Sequence, residues 1–278
     1  MDTTPRPAQL NDLPDPPDVV YTAGSLAILD APTVTLVGSR RATPYGERIA
    51  RAFAAAFARA GVCVVSGLAY GIDVAAHRAA HGAGGRVCAV LGTGLNVFYP
   101  VSHQAVQRAI ADRGLLLSEY APGTTARPYH FPQRNRLMAA LGRATIVIEA
   151  GVTSGSLLTA QVALDLGRAV GAVPGNIDSP ESRGTNDLLR RAEVSHITDV
   201  ASALALVNLA PSVRRLDLQP DEELVWRALP ATGVDDLVAR TRLPTPRCLA
   251  AVASLELAGA LTVGYDGTIR RSETGDIS

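Results

Sequence analysis

The chain has 278 residues, of which 47% are hydrophobic, enough for one large core or for a large and a small one. Its 26 basic residues, all arginine, balance 26 acidic residues, so the composition excludes a polycation and confines any nucleic-acid site to a local patch. Three widely separated cysteines argue against a disulfide framework, and the lack of any long apolar run predicts a cytoplasmic protein without membrane contact.

Residues 1–18 are polar and proline-rich and are predicted to form a disordered tail. From there on, apolar and often β-branched runs alternate with amphipathic segments. The runs predict about six strands, VTLVG, VCVVSG, RVCAVLG, LLLSEY, ATIVIEA and RAVGAVPG. Strands that are apolar throughout and alternate with helices are typical of a parallel sheet covered by helices on both faces. Residues 19–208 are therefore predicted to form an α/β domain.

The remaining sequence predicts a second, smaller domain. Residues 209–218 are expected to be a linker, and residues 219–278 contain three helical segments followed by a hairpin with an Asp-Gly turn. This order is typical of a winged helix. The third helical segment, TPRCLAAVASLELAGAL, has only Arg247 as a base, which favours a protein contact over DNA reading, although the DNA-reading version remains the alternative.

Ligands of parallel sheets lie beyond the carboxyl ends of the strands, so the residues that follow each strand are candidates for a site. Small residues and serines at these places leave backbone N–H groups available for an anion. These candidates are Gly38, Ser39 and Arg40 after the first strand, Ser66 and Gly67 after the second, and Ser154, Gly155 and Ser156 after the fifth.

The segment YHFPQRNRL after the fourth strand combines aromatic rings with arginine. No acidic residue occurs from Tyr120 to Ile148, and seven of the chain's twelve Phe, Tyr and Trp residues fall in post-strand segments. Rings that stack bases and arginines that meet phosphates are what a single strand of nucleic acid requires. Equally open is the alternative that the rings fill loops and the arginines are solvated or pair with Glu119 or Glu149.

Patterns for catalysis are weak. The chain contains no GxxxxGK[ST] or GxSxG motif, and GTGLNV lacks the third glycine of a dinucleotide fingerprint. His77 and His81 are four residues apart, but Arg78 replaces the glutamate of a zinc protease, so no metal is expected. Asp73 is expected to form a structural hydrogen bond with His77, and Glu119 and Glu149 are expected to bind loop N–H groups or arginine.

Seven motifs in series resemble the DNA-processing protein A (DprA/Smf) family over residues 19–200. They are TLVGSRRATPYG, VSGLAYGIDVAAH, AVLGTGLNVFYP, SEYAPG, FPQRNRLMAAL, IVIEAGVTSGSLLTAQVAL and VPGNIDSPESRGTNDLL. The resemblance implies an extended Rossmann-like domain, a homodimer, and binding of single-stranded DNA without catalysis or cofactor. It further implies protection of incoming strands and loading of the recombinase RecA in natural transformation.

The resemblance also assigns residues. Gly38, Ser39 and Arg40 match a phosphate pocket, FPxRNR supplies contacts through Phe131, Arg134, Asn135 and Arg136, and a turn corresponds to Ser154, Gly155 and Ser156. We expect Arg40 to hold a phosphate seated on the N–H groups of Gly38 and Ser39, Phe131 with Tyr129 to stack a base, and Arg134 and Arg136 to neutralise neighbouring phosphates.

Two departures from the family pattern stand out. Only about 20 residues precede the match, which leaves no room for the N-terminal helical domain of many members, and Val101 stands where members often have lysine. Two alternative functions remain. One is a Rossmann-type nucleotide phosphoribohydrolase with Glu149 as the acid, although its PGGxGTxxE loop is not found; the other is a small-nucleotide sensor.

Overall fold

The computed structural model describes residues 3–4, 6–207, 218–257, 260–264 and 266–271. The chain divides into two compact units, Met1–Ala210 and Pro211–Ser278. We call them the sheet unit and the winged-helix unit. Within the described ranges, no helix combines the length and the apolar character needed to cross a membrane.

The sheet unit contains nine strands and seven helices within the described residues. The strands are β1 (Thr3–Thr4), β2 (Val20–Gly24), β3 (Thr33–Val37), β4 (Cys63–Ser66), β5 (Val87–Leu91), β6 (Leu115–Ser118), β7 (Ala144–Val147), β8 (Ala169–Ala172) and β9 (Val194–His196). The helices are α1 (Pro44–Arg59), α2 (Ile72–Gly82), α3 (Gln104–Arg113), α4 (His130–Leu141), α5 (Gly155–Asp165), α6 (Arg183–Leu188) and α7 (Val200–Leu206). Short 3-10 turns cover Ala8–Asp12, Leu26–Asp30, Val101–His103 and Pro180–Ser182.

All strands form one sheet in the order β1-β2-β6-β5-β4-β3-β7-β8-β9. The seven strands from β6 to β9 are parallel, whereas β2 pairs antiparallel with β6 and β1 antiparallel with β2. The six predicted strands are confirmed as β3 to β8. The strand order runs outward from β3 to β6 and then restarts on the other side of β3 with β7. This reversal is where doubly wound sheets bind ligands.

Side chains of the strands alternate between two cores, one on each face of the sheet. Val64 packs in the core that α1, α2 and α7 cover, and its neighbours Cys63 and Val65 pack in the core that α4 and α5 cover. The second core also takes in Leu10 and Leu13, which are buried. The predicted disordered tail is therefore wrong for this segment, because its two leucines provide the apolar burial that holds it against the sheet unit.

Two threonines on β3 position α4, which supplies much of the site. Thr33 Oγ1 donates to the carbonyl of Leu141 (2.7 Å) and Thr35 Oγ1 donates to that of Met138 (2.7 Å). Both carbonyls belong to the last turn of α4, where backbone acceptors often lack partners within the helix. The Met138 carbonyl also accepts from the N–H of Gly142 (3.1 Å), so the two buried threonine bonds add to the capping of this turn and fix α4 against the central strand.

The winged-helix unit has the predicted order of elements. Its helices are α8 (Pro220–Arg227), α9 (Val234–Thr241) and α10 (Thr245–Leu257), and β10 (Leu261–Val263) pairs antiparallel with β11 (Ile269–Arg271). Trp226, Leu237 and Leu255 lie in its core. Of the predicted linker, only Leu218 falls within the described residues.

Candidate functional site

A cavity of about 890 Å³ lies beyond the carboxyl ends of β3 and β7, where the strand order reverses. Nine of the twelve predicted site residues line it, although they come from three separate parts of the chain. They are Gly38, Ser39, Arg40, Phe131, Arg134, Asn135, Ser154, Gly155 and Ser156. The parallel sheet brings them together because each follows a strand that ends at this edge, or lies on the helix after it.

The loop after β3 places Ser39 at the cavity with its polar groups already engaged. The N–H of Ser39 donates to the carbonyl of Glu149 (2.6 Å). Its Oγ donates to Oε2 of Glu181 (3.0 Å) and accepts from the N–H of Arg41 (3.0 Å). The expectation that the Ser39 N–H is available to a phosphate is therefore wrong, because that N–H completes the pairing between the ends of β3 and β7.

An arginine and two rings form one wall of the cavity. The guanidinium carbon of Arg40 lies 5.0 Å from the centroid of the Phe131 ring, within the range of a cation–π contact. The Tyr99 ring lies 5.3 Å from Phe131 and is 45% exposed. Tyr99 thus occupies the place beside Phe131 that was expected for Tyr129, which instead lies edge-on to His130 and accepts a hydrogen bond from Arg127 (3.1 Å).

Arg134 forms the floor of the cavity. It is 2% exposed, donates to the carbonyl of Val90, and lies near the buried Asp73. Burial lowers the pKa of Arg134 to about 10, and the charge of Asp73 opposes this shift. Burial likewise raises the pKa of Asp73, opposed by Arg134 and by hydrogen bonds from the N–H groups of Ala69 (3.4 Å) and Gly67 (3.2 Å). Arg134 and Asp73 therefore compensate each other's charge beneath the cavity.

Three predicted site residues are not among those that line the cavity. Ser66 is buried and donates to the carbonyl of Leu36 (2.6 Å). At Gly67, a Cβ atom would lie 1.9 Å from Nη1 of Arg134, so this glycine makes room for the guanidinium. Arg136 forms an ion pair with Glu119 (2.6 Å) instead of facing the cavity. For Arg136 the alternative interpretation, an arginine paired with Glu119, is the correct one.

The amino end of α5, which follows β7, also lines the cavity. Ser154 caps the helix by accepting from the N–H of Ser156 (3.4 Å), and the two hydroxyls lie 2.7 Å apart. Asn135 donates from Nδ2 to the carbonyl of Gly155 (3.0 Å), which ties α4 to α5. Helix amino ends carry partial positive charge, so this end adds to the attraction of an anion.

Glu149 has the structural role that was expected of it. It is 2% exposed, and its carboxylate accepts from the N–H (2.8 Å) and Oγ1 (2.6 Å) of Thr43, which caps α1. By contrast, the expected hydrogen bond between Asp73 and His77 is wrong. His77 is fully buried, its Nε2 lies 3.3 Å from the carbonyl of Cys88, and its Nδ1 has no partner among the described residues.

Sequence analysis did not assign several of the residues that line the cavity. The helical spacing of residues on α4 is one pattern that could have identified some of them. Phe131, Arg134, Asn135 and Met138 line the cavity at the i, i+3, i+4, i+7 spacing of one helix face, a pattern that leaves out Arg136. Arg41, Tyr99, Arg127 and Glu181 also line it. Each of these lies in a post-strand segment, but position in such a segment does not reveal which way a side chain turns.

Comparisons with known families cover most of the chain. The family model described as DNA recombination-mediator protein A matches residues 2–208, and the DprA winged helix domain matches residues 209–264. A putative DNA processing protein DprA from Mycobacterium tuberculosis is 42% identical over 239 residues, covering 81% of this chain. This chain spans 60% of that relative's length. Protein Smf of Escherichia coli is 34% identical and covers 95% of this chain and 74% of its own length.

Solved structures agree with this relationship. The X-ray structure of DNA processing protein A from Streptococcus pneumoniae superimposes with a TM-score of 0.69 at 40% identity, covering 72% of this chain and 70% of the other. The structure of the Helicobacter pylori protein, described by its single-stranded DNA binding mode, gives a TM-score of 0.67 at 31% identity, with 74% and 94% covered. The extended Rossmann-like fold is thus shared with these structures, the winged helix matches its own family model, and the chain belongs to the DNA recombination-mediator protein A (DprA/Smf) family.

Proposed function

We propose that the chain binds single-stranded DNA in the cavity at the carboxyl edge of the sheet. The observation that carries this proposal is the wall formed by Arg40, Phe131 and Tyr99, where a guanidinium and two rings stand side by side. Such a wall offers a cation to a phosphate and flat surfaces to the neighbouring bases. The Helicobacter pylori relative, whose structure is described by single-stranded DNA binding, supports the same assignment.

The charge of the cavity favours a polyanion although the chain is neutral overall. Four arginines line it against the two carboxylates Asp73 and Glu181, a difference of two positive charges; the arginines are Arg40, Arg41, Arg127 and Arg134. Because Arg134 and Asp73 face each other at the floor, the exposed cations Arg40, Arg41 and Arg127 carry the attraction for phosphate. The amino end of α5, which also lines the cavity, adds partial positive charge.

The bases of the bound strand stack against the aromatic wall. Arg40 already covers part of the Phe131 ring, so Tyr99, which is exposed, extends the stacking surface away from the arginine. Stacking of this kind tolerates any base sequence, because every base has a flat face. Phosphates then lie toward Arg40, Arg127 and α5.

The wider role of the chain follows from its family. We propose that it acts in the cytoplasm as a homodimer that shields incoming single strands and loads RecA onto them during natural transformation, without catalysis and without a cofactor. Family membership supports this role.

In a dimer, two sites within one body bind a long strand with higher avidity. Affinity should therefore rise sharply once an oligonucleotide is long enough to reach both sites, and light scattering should give the mass of a dimer.

A salt titration tests the DNA site directly. A fluorescent oligo-dT is titrated with the full chain at several salt concentrations, with duplex DNA as competitor. Arg40→Ala should weaken binding and reduce the log–log salt slope by about 0.7, the value for one phosphate contact on a single strand. The matched control is Arg59→Ala, an exposed arginine at the carboxyl end of α1, on the opposite edge of the sheet. An Arg40→Ala variant with the affinity and slope of the unmodified chain would contradict the proposal.

A separate assay tests the enzymatic alternative. For a nucleotide phosphoribohydrolase, Glu149 is the candidate acid, but its carboxylate is held by two hydrogen bonds from Thr43 beside the helix cap. We expect incubation of the chain with AMP to release no adenine. Release of adenine at a rate that Glu149→Gln abolishes would replace DNA binding by catalysis as the function of this unit.

A further inference from the structure

Glu181 places a carboxylate in a cavity that is otherwise arranged for phosphate. Its Oε2 accepts a hydrogen bond from the Ser39 hydroxyl (3.0 Å), and both residues line the cavity together with Arg40 and Arg41. Within the described residues, no arginine pairs with this carboxylate beside the loop that follows β3.

The segment that carries Glu181 is fixed by hydrogen bonds on both sides. Ser182 is buried, and its N–H donates to the carbonyl of Ser179 (3.0 Å). Two residues further, the N–H of Gly184 donates to the carbonyl of Ala150, three residues after the end of β7 (2.8 Å). These contacts hold the backbone beside Glu181 at the rim, and the hydrogen bond from Ser39 positions its carboxylate.

The Ser39 hydroxyl is committed to this carboxylate. Its single proton is donated to Glu181, and its oxygen accepts from the N–H of Arg41. The N–H of Ser39 is also engaged, by the carbonyl of Glu149. A phosphate beside Arg40 can therefore bind the guanidinium of Arg40. On the Ser39 side, however, it lies near the Glu181 carboxylate, because the Ser39 hydroxyl and N–H already donate to other acceptors.

We propose that Glu181 is a specificity-determining residue that makes the cavity select internal phosphodiesters over phosphomonoesters. The inference rests on the proposed function of the cavity. A phosphodiester carries one negative charge, which Arg40 can meet on one side. A phosphomonoester, as in a free nucleotide or a phosphorylated strand end, carries about 1.5 to 2 negative charges near pH 7, about 0.5 to 1 more than the diester. Its additional charged oxygen faces the Glu181 carboxylate.

The selection has a clear use in a cytoplasmic strand-binding protein. Free mononucleotides are phosphomonoesters and would compete for any basic cavity with a stacking surface. A site with only basic side chains binds a phosphomonoester more tightly than a phosphodiester, because the monoester has more negative charge. The Glu181 carboxylate removes this difference in affinity by repelling the additional charge. The cavity then favours the interior of a strand, which is the part that a protective protein has to cover.

The test compares two oligo-dT ligands of about six nucleotides, a length within the range of one site. One ligand has a 5′-hydroxyl and the other a 5′-phosphate, and both are titrated by fluorescence anisotropy at low salt. In the unmodified chain we expect the 5′-phosphate to give no gain in affinity. In Glu181→Gln, which keeps the size of the side chain and its acceptor for Ser39, the phosphorylated ligand should gain a factor of about 3 to 10 over the unphosphorylated one, as expected for one charge a few ångströms away in a partly screened site.

Controls separate this inference from the proposed function. Glu193→Gln removes an exposed carboxylate next to the amino end of β9, at the opposite edge of the sheet, and should leave the ratio of the two affinities unchanged. Glu181→Ala should shift the ratio in the same direction as Glu181→Gln, and thermal melting verifies that the variants are folded. An equal ratio in the unmodified chain and in Glu181→Gln, or an equal shift in Glu193→Gln, overturns the selection by Glu181. Binding that is also insensitive to Arg40→Ala overturns the proposed function itself.

Discussion

Arginines of the cavity in the sheet unit and arginines on the surface of the winged-helix unit have different contact partners. At the cavity, Arg40 contacts the Phe131 ring and Arg127 contacts the Tyr129 hydroxyl, and neither forms an ion pair among the described residues. In the winged-helix unit, three arginines are paired with carboxylates: Arg227 with Glu223, Arg240 with Asp236, and Arg247 with Asp221. Arg271 of the same unit lies over the Trp226 ring at 5.0 Å, so the contrast in contact partners holds for these three arginines and not for every arginine of the unit.

The difference is clearest on the third helix of the winged-helix unit, which in DNA-reading versions enters the major groove. The single arginine of α10, Arg247, is held by both oxygens of Asp221, at 2.5 and 2.7 Å. Its exposed side also carries Leu249, which is 48% exposed, together with Ala250, Ala253 and the acidic Glu256. A surface of this kind offers little to phosphates, and DNA affinity should therefore come from the sheet unit.

The largest expected effect concerns Arg134, the arginine that supports the cavity from below. Arg134→Ala removes the charge that compensates Asp73 in a buried place, so the free energy of unfolding of the sheet unit should fall by roughly 3–5 kcal/mol. Calorimetry of the full chain measures this, with the exposed Arg59→Ala as the control that changes stability by less than about 0.5 kcal/mol.

A double-mutant cycle with Asp73→Ala identifies the cause of that loss. If charge compensation is the cause, the double variant should be less destabilised than the sum of the two single variants. Additive losses would show that Arg134 stabilises the unit by packing and by its hydrogen bond to the Val90 carbonyl alone.

Phe131 tests the aromatic side of the comparison. Phe131→Ala should weaken oligo-dT binding by about 1–3 kcal/mol, with the salt slope unchanged, because a base loses its stacking surface while the number of phosphate contacts stays the same. Phe98→Ala is the matched control, since Phe98 also lies beside an arginine, with the guanidinium carbon of Arg108 5.2 Å from its ring centroid, but does not line the cavity. An equal loss in both variants, or a fall in slope with Phe131→Ala, would refute base stacking at this wall.

Sequence reasoning located the site because the carboxyl ends of parallel strands meet at one edge, so motifs from distant parts of the chain converge there. It failed where orientation matters. Arg136 lies two positions after Arg134, which on a helix turns it to another face, where it meets Glu119.

Long-range contacts also could not be predicted from the sequence. The Ser39 N–H completes the pairing of β3 with β7, and Glu181 reaches the Ser39 hydroxyl from 142 positions away. Strand β9 has only three residues, Val194–His196, too few for a recognisable apolar pattern. On the other side of the sheet, β2 pairs antiparallel with β6, and the edge strand β1 pairs antiparallel with β2. In each case a partner from elsewhere in the chain, and not the local sequence, determines the outcome.

The smallest expected effect is that of Arg247→Ala, which tests whether an arginine in an ion pair contributes to DNA binding. Arg247→Ala should leave both the affinity for oligo-dT and its salt slope at the values of the unmodified chain, because Arg247 is engaged by Asp221 and its guanidinium is not offered to phosphate. The experiment is run beside Arg40→Ala, which should lower the slope by about 0.7. If Arg247→Ala lowered the salt slope as much as Arg40→Ala does, the ion pair between Arg247 and Asp221 would have to open when DNA binds. An arginine that is paired in the free protein could then still contact DNA. Asp221→Asn distinguishes these cases: it should raise affinity if the ion pair restrains Arg247 from DNA, and leave affinity unchanged if α10 has no part in binding.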